Sequence, residues 1–193
     1  MIDFSVQIAV THTQAIVPRI GLVYQRPRSV AFVRAHGAYG MASQRAWDVM
    51  LSWINERGLL LQLPYGYGLA YDNPRRTAQG QCRYEACVEL PDSYVELPTD
   101  GICFQTLPGG AYARTRHVGP YSGLRHSVVR IRDTWLTEQT HLTIDRRRPF
   151  MFTYLDAPGS CEPEELRTDV CIPVRAPSDD VFPRIKMSEP FDA

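Results

Sequence analysis

Arg83-Tyr84-Glu85-Ala86-Cys87 returns further along the chain as Arg167-Thr168-Asp169-Val170-Cys171, and Gly37-Ala38-Tyr39 returns at nearly the same offset as Gly119-Pro120-Tyr121. Arg34 falls on Arg116, and Trp53 on Trp135, at the offset of the glycine motif. Solenoid repeats recur every 20–50 residues or so, and this spacing is too long for one. It describes one supersecondary unit present twice, neither copy able to cover its own sheet.

The same order of elements surrounds each copy. In the first, the β-branched and aromatic run Arg28–Ala35 reads as a strand that ends at the glycine-punctuated turn His36–Gly40. A helix fits Met41–Arg57, where Trp47, Met50, Leu51 and Ile54 recur at i, i+3, i+4 and i+7, with Gly58 at its C-terminal end. Strands Tyr67–Asp72 and Cys82–Leu90 follow, and Pro91, Pro98 and Gly101 mark a connecting loop. The second copy runs from strand Tyr112–His117 through a helix over about Ser122–Thr137, with its stripe at Leu124, Val128, Ile131 and Trp135, to strands Phe150–Asp156 and Leu166–Val174. The expected fold is α+β, with duplicated strand-helix-strand-strand units forming an antiparallel sheet, two helices and a central ligand cleft. Residues 28–176 form this domain, split into 28–91 and 102–175. Residues 1–27 read as an N-terminal extension with β-like stretches Phe4–Val10 and Ile20–Tyr24, and residues 177–193 as a proline-rich tail.

Composition removes several classes of function. Twenty-one basic residues balance 21 acidic ones, so the total charge does not describe a nucleic-acid holder. Eight arginines crowd residues 111–150, but the acidic residues beyond them neutralise the run and no helix-turn-helix pattern accompanies it. Cys82, Cys87, Cys103, Cys161 and Cys171 lack the close pairs of a zinc site and read as reduced, so neither metal nor cofactor is expected. Met1-Ile2-Asp3-Phe4 carries an acid where an export signal needs positive charge. No run approaches the roughly 20 apolar residues of a membrane span, and the expected location is the cytoplasm.

Strand alternation places Phe150, Phe152 and Tyr154 on one face, with Tyr67, Leu69 and Tyr71 taken as the matching face of the first copy. Two such faces line either a common cleft or the core beneath the helices. In the last strand of each copy, Arg83, Glu85 and Cys87 oppose Tyr84, Ala86 and Val88, a pattern repeated by Arg167, Asp169 and Cys171 against Thr168, Val170 and Ile172. The acidic face turns either to solvent or into the cleft. His36 and His117 precede the turns without a nucleophile beside them and read as turn residues.

Several ordered motifs resemble the GyrI-like small-molecule-binding (effector-binding) domain family: Phe32-Val33-Arg34-Ala35-His36-Gly37-Ala38-Tyr39, Tyr71-Asp72-Asn73-Pro74, Leu107-Pro108-Gly109-Gly110-Ala111-Tyr112, His117-Val118-Gly119-Pro120-Tyr121 and Glu164-Glu165-Leu166-Arg167-Thr168-Asp169. The family supplies the effector-binding part of AraC- and MerR-type multidrug regulators, and it occurs alone in the DNA gyrase inhibitory protein. The resemblance implies a duplicated βαββ, SOUL-like fold whose cleft takes bulky aromatic, often cationic compounds, in a chain similar to the stand-alone members. It also implies an acid in a Pro-Cys-Phe-Glu-x-Tyr-Leu pattern, but here Pro149-Phe150-Met151-Phe152-Thr153-Tyr154-Leu155 puts Phe152 in the acid's place. A phenylalanine offers a π face and apolar area where a carboxylate would hold a cation, so a more hydrophobic pocket is expected. The expected ligand-binding set is Phe152, Phe150, Tyr154, Tyr71, Leu69, Tyr39, Tyr121 and Trp135. The leading function is sensing or sequestering hydrophobic aromatic compounds, with no direct DNA contact by this chain. One alternative is hydrolysis of cyclopropane-containing DNA-alkylating compounds, for which Glu85, Asp169 or Tyr154 would have to act as base. The other is contact with a protein partner, gyrase or a regulator.

Overall fold

A computed structural model describes residues 18–60, 63, 65–91, 101–157 and 159–177. The stretch Phe4–Val10 and the tail from residue 178 onward lie outside the described residues.

Each copy forms its strands and helix in the expected order. The first comprises β2 (Arg28–His36), helix α1 (Tyr39–Glu56), β3 (Gly66–Ala70) and β4 (Arg83–Glu89). The second comprises β6 (Gly110–Val118), helix α2 (Leu124–Val129), β8 (Phe150–Tyr154) and β9 (Arg167–Arg175). Gly37 and Gly119 open the strand-to-helix turns with φ of 137° and 127°, a region closed to side chains bearing Cβ. The amide of Gly37 bonds the Cys82 carbonyl and that of Gly119 the Leu166 carbonyl, both at 2.9 Å, so each turn is pinned to its own last strand.

The expected second helix is one helical stretch in three geometries. A single α segment gives way to a π turn over Arg130–Thr134 and then a 3-10 turn over Trp135–Glu138. The change of pitch keeps Ile131 and Leu136 buried against the sheet.

Three further strands complete the sheet. β1 (Gly21–Gln25) falls on the β-like stretch read at Ile20–Tyr24, while β5 (Cys103–Leu107) lies where no strand is expected, between Gly101 and the strand read at Tyr112. The short β7 (Thr143–Ile144) pairs with the end of β9. The main antiparallel order is β1-β6-β9-β8-β3-β4-β2-β5. β1 and β5 are related by the same offset as the two glycine motifs, and they are exchanged, since β1 pairs with β6 of the second copy and β5 with β2 of the first. Their registers match: Gly21 opposes Arg114 as Cys103 opposes Phe32. The repeating unit is therefore strand-strand-helix-strand-strand, one strand longer than the motifs alone show.

The sheet curls into a half-barrel. Its inner face packs Val30, Tyr67, Leu69, Cys87, Leu107, Tyr112, Met151 and Cys171 into one core. On the outer face, α1 buries Ala42, Ala46, Met50, Trp53 and Ile54 against the first copy. The second helix buries Ile131 and Leu136 against Ala113, Val170, Ile172 and Val174.

Candidate ligand-binding cleft

The two helices cover the two ends of the outer face and leave the centre open. The resulting cleft of about 1650 Å³ exceeds the 300–1000 Å³ or so of an ordinary ligand pocket. Its floor is made by β8, β3 and β4. Trp47 and Leu51 stand on the α1 wall, with Val128 and Val129 on the α2 wall.

The floor centres on the β3–β8 pairing, in which Gly66 opposes Tyr154, Gly68 opposes Phe152 and Ala70 opposes Phe150. Directly opposed residues share a face, so the small residues of β3 lie beside the three aromatics of β8. This corrects the expected matching face. Tyr67 and Leu69 point into the half-barrel with Met151, and Leu69 is 1 % exposed there, away from the cleft. The duplication sets Gly66 on Phe150 and Gly68 on Phe152, as the first residues of β3 and β8 show. Matching Leu69 to Phe152 instead slips the alignment by a single position, and such a slip turns a strand over. The pseudo-twofold of the duplication passes through the Gly68–Phe152 pair.

The glycines make room for what lies above them. A Cβ on Gly66 would meet the Trp47 ring at 2.6 Å. One on Gly68 would collide with the Tyr84 hydroxyl and lie 2.7 Å from that of Tyr154. In the space left free, Trp47 Nε1 donates to Tyr84 Oη at 3.0 Å, and the Tyr84 and Tyr154 hydroxyls meet at 2.9 Å. Tyr154 is flanked edge-on by Trp47 from the first copy and Tyr121 from the second, with ring centroids 5.5 and 5.2 Å away. Burial pushes the Tyr154 hydroxyl up to about 12 and that of Tyr84 well above its ordinary value, so both are protonated at neutral pH. Tyr39 borders the cleft with its hydroxyl engaged, donating to the Asp72 carbonyl at 2.6 Å and accepting from the Asp72 amide at 2.8 Å.

Of the residues expected to bind ligand, Phe150, Phe152, Tyr154, Tyr39, Tyr71 and Tyr121 border the cleft. Tyr71 lies at its edge, with its hydroxyl donating at 2.7 Å to Glu85 on the other face. Trp135 does not line the cleft, because the π turn leaves it packed on the core of the second copy. Trp47 and Tyr84 are cleft residues that the sequence hides, Trp47 within a helical stripe and Tyr84 among core residues. The strand glycines of Gly66-Tyr67-Gly68 are the signal that points to them, since such glycines mark close approach.

Of the expected bases, Tyr154 stands on the cleft floor, but the two carboxylates are not at the cleft. Glu85 is 0 % exposed on the inner face, accepting from Arg34 Nε at 2.8 Å, Tyr71 and Gln105 Nε2 at 2.7 Å. Asp169, 6 % exposed, accepts from Arg116 Nε at 2.8 Å. Residues alternate along a strand, and Tyr84 and Val170 take the outward places beside them. The carboxylates that do border the cleft are Asp48, Asp72 and Asp156. Asp72 and Asp156 form another duplicated feature. Each accepts a backbone amide and a guanidinium from Arg83 or Arg167, and these bonds hold both carboxyls below the usual range.

Comparison with known proteins agrees with this geometry. The probable transcriptional regulator YgiV of Escherichia coli (strain K12) is 29% identical over 127 residues, 64% of this chain and 76% of that one. The C-terminal domain of EcmrR superposes with a TM-score of 0.63 at 16% identity, over 83% of this chain and 99% of that domain. SAV2435 bound to tetraphenylphosphonium superposes at 0.55 and 15% identity, over 81% and 94%. The model of the GyrI-like small molecule binding domain matches residues 20–175, from the exchanged β1 to the end of β9, and it is to this family that the chain belongs.

Proposed function

We propose that this protein senses or sequesters bulky, hydrophobic aromatic compounds, as a binding unit related to the effector domains of transcription regulators. The carrying observation is the floor, where Phe150, Phe152 and Tyr154 present half-buried aromatic surface to a cleft walled by Trp47 and Val128. Tetraphenylphosphonium, the ligand of SAV2435, is both aromatic and cationic. Here the aromatic part of such a ligand finds a partner, but the centre of the floor is Phe152 rather than a carboxylate. Neutral aromatics are therefore the favoured class.

Hydrolysis needs a base within hydrogen-bond reach of the reacting group. Glu85 and Asp169 lie behind the sheet in arginine pairs, which weighs against that alternative. A drug-sized cleft likewise favours a small molecule over a protein partner. Among the described residues no helix is long and apolar enough to cross a membrane.

A thermal-shift comparison of the wild type with Phe152→Glu tests the proposal. A ligand at 100 times its dissociation constant adds about 2.7 kcal/mol, or about 5–10 °C for a chain of this size. Neutral aromatics are expected to stabilise the wild type, and organic cations chiefly the variant. Equal stabilisation of the wild type by matched cations would overturn the preference, and no shift with any aromatic would overturn the function.

A further inference from the structure

The Trp47–Tyr84–Tyr154 cluster holds one more proton than it can place. It has three donors, the indole N–H and two hydroxyls, and only two hydrogen bonds join them. If Tyr84 donates to Tyr154, the Tyr154 proton has no acceptor among the described residues. If Tyr154 donates to Tyr84, which already accepts from Trp47, the Tyr84 proton has none. Either arrangement leaves one O–H unclaimed. Three other tyrosines around the sheet differ: Tyr39 donates to the Asp72 carbonyl, Tyr67 to Glu89 and Tyr71 to Glu85.

The unclaimed donor lies on the cleft floor. Both hydroxyl-bearing residues line the cleft, Tyr84 3 % exposed and Tyr154 half-buried. A buried polar group left without a partner costs about 1–3 kcal/mol, so the site favours an occupant that supplies an acceptor. Charge at the cleft has the matching sign. Arg76, Arg125 and Arg146 line it with no ion-pair partner among the described residues, and Asp48 is the lone carboxylate there in the same condition.

We propose that the ligand is a flat aromatic compound carrying a hydrogen-bond acceptor, a ketone or quinone oxygen, which takes the free hydroxyl proton of the Tyr84–Tyr154 pair. This rests on the aromatic-binding function proposed above and adds the polar group that fixes the ligand's orientation. A ligand that offers N–H or O–H groups alone leaves the surplus proton unclaimed in either arrangement, so the pair discriminates against it.

Fluorene and 9-fluorenone share ring system and outline, but only the ketone has an acceptor. Titration of the full chain with each, followed by tryptophan quenching, is expected to show the ketone binding about tenfold more tightly. Infrared spectra of bound 9-fluorenone are expected to show its carbonyl band moved to lower frequency. In the double variant Tyr84→Phe/Tyr154→Phe, which removes both hydroxyls while keeping both rings, the preference and the band shift are expected to vanish with fluorene affinity retained. Equal wild-type affinity for the two compounds would overturn the inference and leave the aromatic-binding function standing. Failure of both compounds to bind the wild type would overturn both. A ketone preference that survived in the double variant would remove the tyrosine pair from the explanation.

Discussion

Gly68 carries no side chain, and the centre of the cleft depends on that. Its missing Cβ is the space in which the Tyr84 and Tyr154 hydroxyls meet. Both tyrosine rings are fixed by packing, so the hydroxyls cannot swing aside as the end of a lysine would. Gly68→Ala is expected to cost about 1–3 kcal/mol in urea denaturation, the usual range for overpacking, and to weaken aromatic ligands at the same time. Unchanged stability together with unchanged affinity would mean that the hydroxyls are not held against β3. At this scale the sequence is only partly legible. Phe150, Phe152 and Tyr154 stand out as aromatics on one strand face, but their neighbours across the sheet are two glycines and an alanine, which carry no chemical label. Glu85 and Asp169 are equally deceptive. An acid in a strand of mixed polarity invites a catalytic role, whereas each here is the buried half of a duplicated arginine pair.

The elements were legible wherever hydrophobic periodicity was strong. α1 and strands β2, β4, β6 and β9 fall within a few residues of their expected bounds, because each buries a full face against a helix or the half-barrel. β5 was not legible, since Cys103-Phe104-Gln105-Thr106-Leu107 mixes polar and apolar residues and its pairing with β2 is set by a distant part of the chain. The exchange of β1 and β5 leads to a specific expectation. Deleting residues 1–26 removes β1, and the strand thereby uncovered is β6 of the second copy, not the adjacent β2. Amide hydrogen exchange over residues 111–114 is expected to accelerate, with residues 30–33 still protected by β4 and β5. Faster exchange confined to β2 would mean that the strands are not exchanged.

At the scale of the whole molecule, the exchanged edges and the central β3–β8 pairing tie the two copies into one cooperative body. Neither copy keeps its complete sheet when the other unfolds. Trp135→Phe leaves Trp47 and Trp53 to report on the first copy, and Trp47→Phe/Trp53→Phe leaves Trp135 to report on the second. Within each variant, tryptophan fluorescence and the far-ultraviolet signal of the whole fold are expected to give the same urea midpoint. A fluorescence midpoint displaced from that of the whole fold would show that one copy unfolds by itself. The duplication that makes the fold readable also explains why the site was harder to read, because the cleft sits where the copies differ. The pseudo-twofold runs between Gly68 and Phe152, and on either side Gly66 answers Phe150 and Ala70 answers Tyr154. Had the same architecture been assembled from two identical chains, the residue on that axis would face its own copy, and two phenylalanines or two glycines would share the centre of the floor. Joining the halves in one polypeptide lifts that constraint. It lets one half specialise in bulk and the other in space, so the cleft can hold an unsymmetrical guest in a single orientation.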